Sequence, residues 1–229
     1  MCDEIPLAGG RVTQGVVKKG DFVIRPCCSN SVFVHEVLKW LETKDSTASP
    51  RFIGLTDDGR EITSFLEGTS PGNLGDFSNI QLSEAGRVIM HLHTALADFP
   101  GCPDGFVVCH NDLSPCNFMF KNDLPYAVFD WDAATINDPV TDVAYAAWMW
   151  CDIGNDENPP VAVGKKVKVL LDGYGLEQSK RSTFIEKIHS QIKRTADSLF
   201  NDNMLDGYNW AKSCNLWLEQ HGREVGAVI

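Results

Sequence analysis

Apolar and polar positions alternate differently in the two ends of the chain. In the first 67 residues, short β-rich runs dominate: Arg11 to Val17 and Asp21 to Arg25 flank Lys18-Lys19-Gly20, and Arg51 to Leu55 and Glu61 to Leu66 flank Asp57-Asp58-Gly59. Each tripeptide ends in a glycine, which accepts the positive φ a tight turn needs, so two hairpins are predicted. Between them Val34, Val37, Leu38 and Leu41 recur at helical spacing, predicting an amphipathic helix over 31–43. The order is β-β-α-β-β.

After Glu67 the pattern changes. Gly68 to Asn73 is rich in glycine, proline, serine and threonine and reads as a linker. Ser83 precedes a predicted helix running to about Ala97. Two apolar runs, 117–120 and 126–129, flank Lys121 to Pro125 and predict a small hairpin. Beyond Pro139, helices are predicted at about 140–151, 160–172, 180–200 and 207–221, with Gly173-Tyr174-Gly175 as a stop. The chain therefore divides into a β-rich part, 1–67, and a mainly helical part, 68–229.

Composition narrows the class. With 43% hydrophobic and 22% charged residues in 229, the chain is globular, neither disordered nor fibrous. No window approaches the roughly 18–20 unbroken apolar residues of a membrane span. The N-terminus is acidic where a signal peptide is basic, so a cytoplasmic protein without a membrane partner is expected. The 8 cysteines lack repeated C-x-x-C spacing, which fits reduced thiols. A net charge of -11 argues against nucleic acid as partner. The acid is concentrated: residues 88–164 carry one Lys, Lys121, against 11 Asp and Glu. Such a segment attracts cations.

Within it lies the chemistry. His110-Asn111-Asp112-Leu113-Ser114-Pro115-Cys116-Asn117 is followed, thirteen residues after Asn117, by Asp130-Trp131-Asp132. Asp112, Asn117 and Asp130 would sit on loops flanking one hairpin and point into one cleft. Hard oxygen donors of this kind suit Mg²⁺, with Asn117 and Asp130 holding the metal. Asp112 is then free to orient or deprotonate an attacking hydroxyl.

H-x-D-x-x-x-x-N followed by a hydrophobic-D-W-D step resembles the phosphotransferase family of aminoglycoside phosphotransferases, choline kinase and related small-molecule kinases, which shares the protein-kinase fold. The resemblance extends from Leu7-Ala8-Gly9-Gly10 through Ser64 to Gly68, Leu92-His93 and Asp138-Pro139-x-x-Asp142-Val143-Ala144. It implies an α+β, two-lobed fold: a small antiparallel β lobe with one helix, a mainly helical second lobe, and ATP or GTP with Mg²⁺ between them. It makes Asp112 the catalytic base and Asn117 and Asp130 the metal ligands. Asp142 becomes the buried aspartate that ties down the loop backbone, and His110 packs beneath that loop.

Gly9-Gly10-x-x-x-x-Gly15 stands where a phosphate-cradling loop would be, with Gly10 and Gly15 letting the backbone approach closely. The kinase pattern asks for a lysine on the third strand and a glutamate on the following helix. The residues here are Arg25 and Glu36, an expected ion pair in which arginine departs from the pattern. Asp132, Asp152, Asp156 and Glu157 are candidates to line a pocket for a cationic small-molecule acceptor such as an amino sugar or amine alcohol. Trp148 and Trp150 are candidates for its wall, although their spacing turns them to different sides and assigns at least one to the core. Two other readings remain: a nucleotide-binding pseudokinase with a regulatory role, and a metallohydrolase using His91, His93, Cys109, His110 and Asp112. Against the latter, His91 and His93 lie at i and i+2 and face apart by about 200° on a helix.

Overall fold

β-Branched and aromatic residues at the start of the chain pair into a five-stranded antiparallel sheet. In the computed structural model, which describes residues 4–7, 15–72, 74 and 76–229, the strands are β1 (Ile5–Pro6), β2 (Val17–Lys19), β3 (Phe22–Arg25), β4 (Phe52–Leu55) and β5 (Glu61–Ser64), in the order β1-β2-β3-β5-β4. The predicted strand over 11–17 begins in residues outside the described set, and Lys18 and Lys19 belong to β2. The turn is therefore shorter than predicted, with Gly20 at φ 61° and Lys19 paired to Phe22. Helix α1 (Ser31–Thr43) follows β3 as predicted and buries Val34, Val37, Leu38 and Leu41. Each such burial is worth roughly 1.5–3 kcal/mol, enough to hold the helix against the rest of the molecule.

Helix α2 (Asn79–Leu96) starts earlier than Ser83. The Ser78 side chain accepts from Gln81 N, and the Gln81 side chain accepts in return from Ser78 N, a reciprocal cap that sets the first turn. β6 (Val107–Cys109) pairs with β9 (Thr135–Asn137), and β7 (Phe118–Lys121) with β8 (Leu124–Val128) across Asn122 and Asp123, both at positive φ. Helix α3 (Pro139–Trp150) is capped by Asp138, whose side chain accepts from Val140 N. It is followed by α4 (Pro160–Tyr174), α5 (Gln178–Arg181), α6 (Phe184–Asn201) and α7 (Leu205–Gly226). The helix expected over 180–200 is thus two, broken at Ser182 and Thr183.

Gly173 does not stop α4. Gly175, at φ 79°, does so, and Gly173 serves the packing of α4 on α2 instead. A Cβ at Gly86 of α2 would lie 2.6 Å from Tyr174 N, and one at Gly173 would lie 2.8 Å from Ser83 Cα. Backbone atoms cannot yield as a side chain can, so the two helices approach only because both contacts lack a Cβ.

The α+β division expected from the sequence is observed, and the two parts are stitched together at several points. Tyr126 Oη donates to Glu67 O at 2.8 Å and Val128 N donates to Ala48 O at 2.8 Å, while within the helical part Thr69 and Phe120 exchange backbone hydrogen bonds at 3.1 and 2.8 Å. No helix among the described residues is long and apolar enough to cross a membrane. Gly86→Ala is expected to destabilise the protein by about 1–3 kcal/mol, seen as a lowered thermal midpoint. Gly72→Ala, at a glycine with nothing within 4 Å of the added Cβ, should leave the midpoint unchanged.

Candidate active site

The loop after β6 is pinned from below by one buried carboxylate. Asp142 of α3 accepts from His110 N at 2.6 Å and from Asn111 N at 2.7 Å. Its Oδ2 also meets His93 Nε2 at 3.2 Å, and His93 Nδ1 meets Tyr174 Oη at 3.0 Å. Burial above all, then nearby Cys109 and the carboxylates of Asp142 and Asp138, raise the Tyr174 pKa. The phenol therefore donates to His93, and His93 donates to Asp142, so three helices, α4, α2 and α3, converge on the loop backbone through one chain of hydrogen bonds.

The loop is also braced from its flanks. His110 Nε2 donates to Phe129 O at 3.0 Å while its Nδ1 accepts from Asp112 N at 3.3 Å, which assigns the proton to Nε2. Phe129 N donates to Asn117 O at 3.0 Å, and Asn117 Nδ2 donates to Asp112 O at 2.9 Å. Asp112, Asn117 and Asp130 therefore belong to one cross-linked pair of loops. With its amide nitrogen committed, Asn117 has its oxygen met only by the weak thiol donor of Cys116 at 4.0 Å. Asp130 stands at φ 65°, ψ 61°, a left-handed conformation that costs roughly 1–2 kcal/mol in an ordinary residue. Such strain concentrates where a side chain must be aimed.

Asp112 is half-buried, and its Oδ1 accepts from Tyr145 Oη at 2.8 Å. Burial first, and the Asp112 charge next, raise the Tyr145 pKa far above the ordinary tyrosine value, so the phenol is a permanent donor. Beneath the loop, Trp150 Nε1 donates to Leu113 O at 3.1 Å, and its ring packs on Phe77, Phe118 and Phe120. Both Trp148 and Trp150 are 1% exposed, so neither forms a wall for an acceptor. α3 is apolar all round, which buries both faces of the helix.

Across the cleft, Arg25 corrects the expected ion pair. Glu36 is exposed, because the apolar residues on either side of it turn the opposite face of α1 inward. Arg25 instead binds Glu61 through Nε, Asp130 through Nη1 at 2.9 Å and Asp132 through Nη2. Arg25 and Glu61 are direct partners in the β3–β5 register. Burial opposes the Arg25 charge, but Glu61, Asp132 and Asp130 more than offset it and its pKa is raised. Asn30, at the start of α1, donates to Asp132 O at 3.0 Å and Ala134 O at 2.9 Å, a second tie between the two parts.

The other candidates fall outside this cluster. Gly10 lies outside the described residues; Gly15, at φ 80°, sits against Pro26, one residue past Arg25. Asp152 accepts from Asn155 and Asn158 at 2.8 and 3.0 Å and shapes its own loop, while Asp156 and Glu157 are exposed. His91 turns to Ser46 Oγ at 3.1 Å, away from His93, so the five residues of the hydrolase reading do not gather around one point. Glu61, Tyr145 and Asn111 escaped the sequence reading, and Trp150, read as a wall candidate, serves the loop instead. Asn111 Nδ2 reaches Ala133 O at 2.8 Å and Thr135 Oγ1 at 2.9 Å. Its place beside Asp112 was the one local signal available.

Residues 102–162 match the model of a family described as "Phosphotransferase enzyme family". A trifolitoxin immunity protein of Rhizobium leguminosarum bv. trifolii is 29% identical over 262 aligned residues, covering 100% of both chains. Among solved structures, an amicoumacin kinase in complex with AMP-PNP, Ca²⁺ and Ami aligns over 93% of this chain and 90% of its own, with a TM-score of 0.70 and 10% identity. A choline/ethanolamine kinase family protein from Mesorhizobium loti covers 99% and 92%, with a TM-score of 0.64 and 17% identity. The gentamicin complex of APH(2'')-IIa covers 93% and 91%, at 0.63 and 11%. The resemblance drawn from the loop motifs and the two-lobed α+β fold are both borne out.

Asp142→Asn removes the charge that two backbone N–H groups and His93 share. It is expected to cost about 2–3 kcal/mol, measured as a lowered denaturant midpoint with the slope unchanged.

Proposed function

We propose that this chain, with its match to a phosphotransferase family model and the fold of small-molecule kinases, transfers the γ-phosphoryl group of ATP or GTP to a hydroxyl of a small acceptor. The lobes divide at 67/68 and the nucleotide lies between them. The observation that carries the reading is the cross-braced set of Asp112, Asn117 and Asp130, faced by Arg25 from the other lobe.

The donor set fits Mg²⁺. Glu61, Asp130 and Asp132 surround a single guanidinium, leaving an excess of negative charge that favours a divalent cation. Asn117 and Asp130 would hold the ion, with an amide oxygen met only by the weak Cys116 thiol donor and an aimed carboxylate, the hard oxygen donors it prefers. Once bound, Mg²⁺-nucleotide supplies the phosphoryl group and a positive charge to offset what gathers during its transfer. The chain's own residues do the rest. Tyr145 clamps one oxygen of Asp112, leaving the other to take the acceptor's hydroxyl proton and orient its oxygen for in-line attack. Asp142, His93 and Trp150 keep that carboxylate's loop from relaxing. Arg25 presents two N–H edges to the cleft, suited to phosphate oxygens.

The acidic excess around the cleft favours a cationic acceptor, such as an amino sugar or an amine alcohol. A relative named as an immunity protein, and structural neighbours solved with gentamicin and Ami, place antibiotic-like molecules early in any acceptor panel. A second reading, a nucleotide-binding pseudokinase, is favoured by one observation: Arg25 replaces the lysine of the kinase pattern and is already engaged with Asp130.

The deciding measurement is a thermal shift with ATP and GTP, with and without Mg²⁺, followed by turnover against the acceptor panel. Metal-dependent stabilisation is expected, with turnover abolished in Asp112→Ala while nucleotide binding persists. Unchanged turnover in Asp112→Ala would remove Asp112 from the role of base. Tyr145→Phe should lower kcat by about ten- to hundredfold, the loss of one hydrogen bond to a charged acceptor, with nucleotide affinity unaffected.

A further inference from the structure

The helix glutamate that the kinase pattern leads one to expect is turned to solvent, yet the guanidinium it should steady is firmly held. We infer that Glu61, backed by His35, is the positioning residue for Arg25, and that it links helix α1 to the nucleotide cleft; the inference rests on the nucleotide site proposed above.

Glu61 is placed by register. It lies directly across from Arg25 on neighbouring antiparallel strands, where side chains share a face and their Cβ atoms lie about 4.5–5.5 Å apart. Its side chain is 2% exposed, so an unpaired charge there would be costly. Both oxygens are committed: Oε1 to Arg25 Nε, and Oε2 to His35 Nε2 at 2.7 Å. His35 belongs to α1 and stacks on Phe52 of β4, with centroids 3.9 Å apart and planes 22° apart. The helix thus does reach Arg25, through an imidazole and a strand carboxylate in place of a carboxylate of its own.

The division of Arg25's nitrogens gives this arrangement its use. Glu61 takes Nε, at the root of the fork, which fixes the direction of the stem. The two Nη nitrogens are left to the exposed side of the cleft, where they meet Asp130 and Asp132 of the other lobe. The Asp130 side chain is 42% exposed and that of Asp132 30%, so their hold on Arg25 is exchangeable while Glu61's is not. A ligand that draws Asp130 toward a cation leaves Nη1 pointing into the same space, ready for a phosphate oxygen, with the stem unmoved. Glu61 therefore sets nucleotide affinity without touching the nucleotide.

The test is calorimetric binding of non-hydrolysable ATP and GTP analogues, with Mg²⁺, to the full chain well below its melting temperature. Glu61→Gln is expected to weaken binding about ten- to hundredfold, and Glu36→Gln to leave it within about twofold. In an Arg25→Met background, Glu61→Gln should change affinity no further, because the residue it acts through is gone. A merely structural Glu61 would lower the melting temperature and leave affinity intact. Should Glu61→Gln fail to fold, His35→Phe, which keeps the stack and removes the hydrogen bond, should still weaken binding several-fold. Wild-type affinity in the folded Glu61→Gln protein, or in His35→Phe if it alone folds, overturns the inference, as does a loss confined to Glu36→Gln. Absence of nucleotide binding by the wild-type chain overturns the proposed function, and this inference with it.

Discussion

One guanidinium shared among three carboxylates holds the two halves of this molecule in working relation. Arg25 gathers Glu61 from its own sheet and Asp130 and Asp132 from the far side of the cleft. Without it, three acids at close quarters would repel; with it, they still carry more negative charge than one arginine neutralises. An arginine suits this better than a lysine would. Its planar fork can face three directions at once, whereas an ammonium is a point charge on a flexible stem. The backbone ties around it, from Asn30 to Asp132 O and Ala134 O and from Val128 to Ala48, make the approach of the halves a property of the main chain as well.

The opposite wall of the cleft obeys a different logic. Leu113 anchors its loop in the core, and hydrogen bonds running inward set the course of the backbone around it. Asp142 accepts from two successive backbone N–H groups, one on each carboxylate oxygen, and His93, itself held by Tyr174, occupies a further lone pair of Oδ2. Trp150 adds a donor from the aromatic core to Leu113 O. A loop held at so many points can keep Asp130 and Asn111 in left-handed backbone conformations that would otherwise relax. Stability of the core and orientation of the site are in this sense the same set of contacts.

What could be read from the sequence followed the distance over which each signal acts. The helix over 31–43, the hairpin turns at Gly20 and Gly59 and the H-x-D-x-x-x-x-N loop are local patterns, and the structure shows those elements. The order β3-β5-β4 is not local. The reading paired the second hairpin with itself and left open which strand lay beside β3, so Glu61 could not be matched to Arg25. Sequence spacing offers Glu36, the sixth residue of the nearest helix, in its place. Tyr145 escaped, and Trp150 was assigned a wall in place of a loop contact, for a related reason: on a helix buried all round from Asp142 onward, periodicity does not show which residue faces the loop. The Ser78-Asn79-Ile80-Gln81 cap was legible in principle, but Ser83 stands closer to the strongest apolar run.

The acidic middle segment, whose charge first suggested cations, resolves into separate uses. Asp138 caps α3 and meets Lys187 at 3.2 Å, Asp142 is spent on the loop backbone, and Asp152 on its own turn. Four side chains from the two lobes remain to set the field in the cleft: Asp112, Asp130, Asp132 and Glu61, against Arg25. On the proposed function a divalent ion would offset part of that excess, and a nucleotide's phosphates would restore it. The field that a third molecule would meet next to Asp112 is therefore negative with or without such a nucleotide. Local charge of that sign raises the concentration of cationic molecules and disfavours anionic ones over the range of a Debye length, about 8 Å at physiological salt. On the function proposed above, charge would act on an acceptor before any shape of a binding wall comes into play.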